Sequence, residues 1–287
     1  MTAPAVVAIG GGHGLAASLA ALRRTTSSIA AVVAVADDGG STGRLRDAVD
    51  LPALGDLRKA LVALSSPDST LAAAMHHRFG AGDIIGHAFG NLLIAALAET
   101  GHDLPEALAE IGRLTDSIGV VYPSSVEPVV LRALTRDGIE VIGQVRIMRT
   151  KGIDRVTLVP SRPAAPPAAL DAIRGADLVV IGPGSLFTSV LAATAVPAVL
   201  EAINVSNGRV VYVCNLHPQP GETEGYDLGD HLDALARHGV VPDVVLYDPD
   251  SIGDSGADSR CEAWQLAVPG RPVHDPERLA KALEAQR

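Results

Sequence analysis

Aromatic residues are scarce in this 287-residue chain, at 3%, and there are only two cysteines, Cys214 and Cys261, far apart. Two thiols without metal-ligand spacing exclude a disulfide framework and the usual zinc sites, and fit a reducing compartment. No stretch is apolar for the length a membrane-spanning helix needs. Residues 1–9 are apolar but lack the basic start and cleavage pattern of a secretory signal. A soluble, cytoplasmic protein is expected. Basic residues are also in deficit: 23 Lys and Arg face 33 Asp and Glu, a formal charge of −10. A nucleic-acid surface is thereby excluded, because it rests on many Lys/Arg–phosphate contacts. One phosphorylated small ligand is not, since backbone N–H groups can supply the positive potential. No P-loop lysine motif is present.

What the chain does have is aliphatic residue. Hydrophobic residues make up 47%, mostly Ala, Val, Leu and Ile, which suits β-branched strands under Ala/Leu-rich helices. The length allows one large domain over 1–287. Val6–Gly10 reads as a buried strand, followed by a helix from about Gly14 to Arg24 and a second strand over Ile29–Ala36. Strand, glycine loop, helix, strand is a βαβ unit with a right-handed crossover. Residues from about 50 to 118 carry helical periodicity and read as a helical layer. Val129–Leu134 and Ile139–Ile147 flank Thr135-Arg136-Asp137-Gly138, a hairpin signal. The β/α rhythm then returns with strands at Arg155–Val159, Leu178–Gly182, Val210–Leu216 and Val244–Asp248, and a terminal helix starts near Pro276. The fold expected is α/β: a Rossmann-like, doubly wound, mostly parallel sheet with a helical layer and an antiparallel hairpin.

Chemistry concentrates in the loops at strand ends. The first reads Gly10-Gly11-Gly12-His13-Gly14-Leu15-Ala16-Ala17, in which Gly12, Gly14 and Ala17 match the dinucleotide spacing. Glycines there let the backbone approach a phosphate at a helix N-terminus. Asp37 lies twenty residues past Ala17, where an acid can hold a ribose hydroxyl. A tight βα turn with no ligand has the same spacing. The second loop, Asp37-Asp38-Gly39-Gly40-Ser41-Thr42-Gly43-Arg44-Leu45-Arg46, is richer. Asp37 and Asp38 can hold a sugar hydroxyl, act as a base, or bind Mg²⁺ through water, with Asp38 the candidate metal ligand. Gly39, Gly40 and Ser41 allow closure over a ligand, and Arg44 can meet a phosphate. A solvated turn with paired Asp and Arg is the competing reading.

Gly86-His87-Ala88-Phe89-Gly90-Asn91 opens an apolar helix, where Asn91 either points an amide into a site or caps the helix. Gly182-Pro183-Gly184-Ser185-Leu186-Phe187-Thr188-Ser189 ends another strand, and Gly184, Ser185, Thr188 and Ser189 read as a second phosphate cradle. Asn215 opens a fifth polar loop running to Thr223. Four such loops at strand carboxyl ends converge on one rim. Other residues read as structural. His76 and His77 are surface residues, His102, His231, His238 and His274 show no pattern, Cys214 packs in a strand, and the acidic stretch 248–259 is a mobile loop.

These blocks together resemble the YvcK family, the gluconeogenesis-factor or UPF0052 proteins, related to the phospholactate transferase CofD. The most specific matches are Asp37–Arg46, Gly55-Asp56-Leu57-Arg58, Gly86–Ile94, Gly182–Ser189 and Pro220-Gly221-Glu222-Thr223. The transferase branch has Asp-Asp after the second strand without the Gly-Gly-Ser-Thr-Gly-Arg-Leu-Arg run found here. The resemblance is thus to the regulatory branch. It implies a Rossmann-like fold, binding of UDP-N-acetylglucosamine and related UDP-sugars without an established catalytic activity, and a role linking carbon metabolism to cell-wall synthesis and cell shape. It also leaves room for a protein partner and a homo-oligomer. Two departures stand out: His13 replaces the family's usual Thr, and Ala53-Leu54 replaces a Pro-Pro pair. A CofD-like transferase and, further off, an NAD-dependent oxidoreductase are the alternative readings.

Overall fold

Four strands that are buried along their whole length set the architecture, because a parallel sheet covered on both faces needs continuous apolar runs. The computed structural model describes residues 5–39, 51–253 and 258–287. Among these the chain begins β1 (Val6–Gly10), α1 (Gly12–Leu22), β2 (Ile29–Val33), α2 (Gly55–Leu64), α3 (Thr70–Met75), α4 (Phe89–Glu99), α5 (Leu104–Leu114) and β3 (Gly119–Pro123). Then come β4 (Val130–Thr135), β5 (Glu140–Ile142), α6 (Gln144–Ile147), β6 (Ile153–Val159), α7 (Pro167–Arg174) and β7 (Leu178–Ile181). A π-helical turn (Leu186–Val190) runs into α8 (Leu191–Thr194), followed by α9 (Pro197–Asn204) and β8 (Arg209–Val213). The chain closes with α10 (Leu228–Arg237), β9 (Val244–Tyr247), β10 (Cys261–Ala263) and α11 (Pro276–Glu284). The fully buried strands are β1, β2, β7 and β9.

The main sheet has seven strands in the order β10-β9-β8-β7-β1-β2-β3, every neighbouring pair parallel. The chain builds outward from β1 to β3, returns to β7 on the other side of β1, and builds outward again. The order therefore reverses between β1 and β7, the position where open α/β sheets leave a crevice at strand carboxyl ends. A second sheet of three strands, β5-β4-β6, is antiparallel. The expected doubly wound fold with an antiparallel hairpin is the one observed.

Several boundaries differ. The second arm of the hairpin stops at Ile142, because Gly143 turns the chain at φ +99° and residues 144–147 form a helical turn. The strand read from Arg155 starts at Ile153 and joins the small sheet against β4, not the parallel one. The edge strands β3 and β10 were not anticipated. Both lie at sheet edges and are half exposed, β3 beside β2 and β10 beside β9.

Of the acidic stretch 248–259, read as a mobile loop, residues 254–257 lie outside the described residues, and its first residue is held in place. Asp248 is buried, and its Oδ2 accepts the N–H groups of Leu266 (2.7 Å) and Ala267 (2.9 Å). Its Oδ1 accepts from Asp250 N–H at 3.1 Å. The carboxylate thus ties the end of β9 to the segment leading into α11. Asp248→Ala leaves buried donors without an acceptor, at a cost of about 2–3 kcal/mol. For a chain of this size that corresponds to a melting point lower by roughly 5–10 °C, and an unchanged melting curve would contradict the assignment.

Candidate functional site

The loops that follow β1 and β7 lie side by side because two glycines permit it. Gly12 has φ +64°, a left-handed conformation natural to glycine. Gly14 has no such dihedral, but a Cβ there would fall on the carbonyl of Pro183, so its missing side chain lets the first turn of α1 rest on the β7 loop. Helix α1 has no side-chain cap and no acid in its first turn. The N–H of Gly12 is already taken: it donates to Asp56 Oδ2 at 2.7 Å, while Asp56 Oδ1 accepts from Lys59 Nζ at 2.9 Å. Among the described residues, the N–H groups of His13 and Gly14 meet no acceptor. The positive end of α1 is therefore presented through these two amides, with Lys59 beside them.

The second loop divides its two acids. Asp37 Oδ1 accepts from Gly39 N–H at 2.9 Å, and Asp37 lines the cleft described below. Asp38 turns instead toward the small sheet. Its Oδ1 accepts from Val145 N–H at 3.0 Å, and its Oδ2 lies where a Cβ on Gly143 would come within 2.5 Å. Asp38 thus holds α6, and among the described residues no three His, Cys, Asp or Glu gather as a metal cluster. Gly40, Ser41 and Arg44 lie outside the described residues.

The β7 and β8 loops are bound to each other. Gly184 N–H donates to Asn215 Oδ1 at 2.9 Å, and Gln219 Nε2 donates to Ser185 Oγ at 3.0 Å. Thr188 does not face the ligand side as the cradle reading had it. Its N–H and hydroxyl donate to Glu222 at 3.1 and 3.3 Å, and it is absent from the cleft wall. A fully buried carboxylate thus occupies donors that were expected to hold phosphate. Burial drives the Glu222 pKa up to about 7, against the lowering effect of bonds from Thr188, Ser185 and the backbone. Asn91 is also elsewhere: it is buried between α2 and α4, where its Oδ1 accepts from Arg58 Nε at 3.1 Å.

Gly11, Gly12, His13, Gly14, Asp37, Gly184, Ser185, Ser189 and Asn215 do come together, lining a cleft of about 570 Å³. Its size falls within the range of small-molecule sites. The wall also includes Asp56, Lys59, Gln144, Val145, Gln219 and His274, which were not anticipated as site residues. Asp56 lay inside a matched block, whereas His274 has no sequence signal. It arrives from the segment before α11 with only 8% of its surface exposed. Burial lowers its pKa to about 4, although it donates to the Cys214 carbonyl. A separate hollow of about 490 Å³, lined by residues such as Ala5, Ser28 and Ser117, sits at the amino-terminal ends of the strands and gathers none of the glycine loops.

A seven-stranded parallel sheet with a glycine-lined cleft at its reversal point defines a doubly wound α/β protein. The family model of 2-phospho-L-lactate transferase CofD matches residues 6–280, and the chain belongs to that family. Within it, the chain is similar to putative gluconeogenesis factors. One from Mycobacterium tuberculosis is 42% identical, over 97% of this chain and 89% of that protein. One from Deinococcus radiodurans is 41% identical over 97% of this chain, which spans 65% of that longer relative. A crystal structure of a UPF0052 family member from Bacillus halodurans superposes with a TM-score of 0.91 at 36% identity, covering 99% of both chains.

The buried titratable groups give stability a defined pH dependence. His231, bonded to the Tyr212 hydroxyl at 2.9 Å, has its pKa lowered to about 4 by burial, as does His274. Their stabilising contribution is present above the unfolded imidazole pKa of 6.5 and lost as pH falls toward 4. Glu222 has the opposite sign: its contribution is full below 4.5 and lost as pH rises through about 7. Glu222→Gln removes that opposing slope, about 3 kcal/mol. Between pH 4.5 and 7 its melting temperature is expected to rise more steeply than that of the wild type. Parallel curves would contradict the burial assigned to Glu222.

Proposed function

We propose that this chain is a cytoplasmic regulator that binds a nucleotide sugar, of the UDP-N-acetylglucosamine type, in the cleft at the sheet reversal. The observation that carries this reading is the start of α1, where Asp56 takes only the Gly12 amide and those of His13 and Gly14 meet no acceptor among the described residues. Such a terminus suits a diphosphate. Asp37 stands on the same cleft, where it suits a ribose or sugar hydroxyl. The likeness to proteins named gluconeogenesis factor supports a role in carbon metabolism. The link to cell-wall synthesis and cell shape through a protein partner follows the same resemblance and is part of the proposal.

The match to the CofD transferase model favours one second reading, transfer of a phosphorylated group from a nucleotide-linked donor. The two readings part on what happens to the ligand. Calorimetry with UDP-N-acetylglucosamine, UDP-glucose, GDP and NAD, with and without Mg²⁺, followed by chromatography of the recovered ligand, separates them. Micromolar binding of a UDP-sugar that is recovered intact is the expected result. Binding of GDP or NAD alone, or consumption of the ligand, would overturn the regulator reading.

A further inference from the structure

Three polar side-chain atoms on the cleft wall are buried and have no partner among the described residues: Asn215 Nδ2, Gln219 Oε1 and His274 Nε2. What the rest of each side chain does fixes its polarity. Asn215 spends its oxygen on the Gly184 N–H, so a donor remains. Gln219 donates its Nε2 to Ser185 Oγ at 3.0 Å, which leaves Gln219 Oε1 as an acceptor. His274 donates its other nitrogen to the Cys214 carbonyl, so in the neutral ring Nε2 carries a lone pair. The wall thus presents two acceptors and one donor. Buried polar atoms are nearly always paired, and leaving one unpaired costs about 1–3 kcal/mol. Three on one wall of one cleft point to a ligand that completes them.

Two acceptors disfavour a phosphate. They suit an uncharged group with O–H or N–H to give and an oxygen to receive the Asn215 amide. We propose that Asn215, Gln219 and His274 form a seat for an uncharged, hydroxyl- or amide-bearing part of the ligand, distinct from the anion end at His13 and Gly14. The seat rests on the nucleotide-sugar reading above, and two parts of such a ligand carry this chemistry: the glycosyl group and the edge of the base.

Two substitutions test it in the full chain. His274→Asn keeps a nitrogen for the Cys214 carbonyl and deletes Nε2, while Gln219→Met keeps the length and deletes the acceptor. Each is titrated with UDP and with UDP-N-acetylglucosamine, with melting curves to confirm folding. Each variant is expected to bind UDP-N-acetylglucosamine about tenfold more weakly than the wild type. A collapse of the advantage of UDP-N-acetylglucosamine over UDP assigns the seat to the glycosyl group, and an equal loss for both probes assigns it to the base edge. Affinities within twofold of wild type for both probes in both folded variants would overturn the seat. A wild-type protein that binds neither probe would remove the nucleotide-sugar reading and the seat with it.

Discussion

The close approach of α1 to the loop after β7 is the contact on which the site depends. Strands β1 and β7 pair in parallel from Val6↔Leu178 to Ile9↔Ile181, and the chain leaves them in different directions. Gly14 lies against Pro183 with no room for a side chain, and the buried Ser18 hydroxyl donates to the Gly182 carbonyl at 2.6 Å. These contacts hold two helix starts, that of α1 and that of the π-helical turn, at the reversal point of the sheet. The hydrophobic cluster beneath, which draws on every strand of the large sheet except its edge strand β10 and on all three of the small one, fixes the strands themselves.

The two helix starts have different fates. At the π-helical turn the protein supplies its own anion, the Glu222 carboxylate, which takes the amide and hydroxyl of Thr188. At α1 a carboxylate takes only the first amide, through Asp56 and Gly12. Internal acids and amides thus tie these segments down: Asp56 holds the first loop, Asp38 is joined to α6, and Asn215 and Glu222 hold the β7 loop. The loops after β1 and β7 are thus held in place with the His13 and Gly14 amides meeting no acceptor among the described residues, which lowers the ordering cost of binding.

The architecture was legible wherever a residue pattern had one physical cause. Val6–Gly10 and Leu178–Ile181 are continuous apolar runs because both faces of a parallel strand are covered. Asp137-Gly138 marked the hairpin because Gly138 sits at φ +79°. The glycine loops were found for the same kind of reason, and most of their residues do line the cleft. What escaped was set by distant partners. Thr188 and Asn91 looked like ligand-facing groups, yet each is bonded to a residue more than 30 positions away, Glu222 and Arg58. His274 carries no local signal, since only the docking of the segment before α11 brings it to the wall. The edge strand β10 fell below notice because its three residues, Cys261–Ala263, carry no apolar run.

The central claim is that the ligand's phosphates land on the start of α1 and not on the π-helical turn. Backbone amide hydrogen exchange, measured residue by residue with and without saturating UDP-N-acetylglucosamine, tests this most directly. The account predicts that His13 and Gly14, whose amides meet no acceptor within the described chain, slow sharply on binding. Thr188, already bonded to Glu222, should change little. Protection confined to Thr188 and its neighbours, with His13 and Gly14 unaffected, would contradict it.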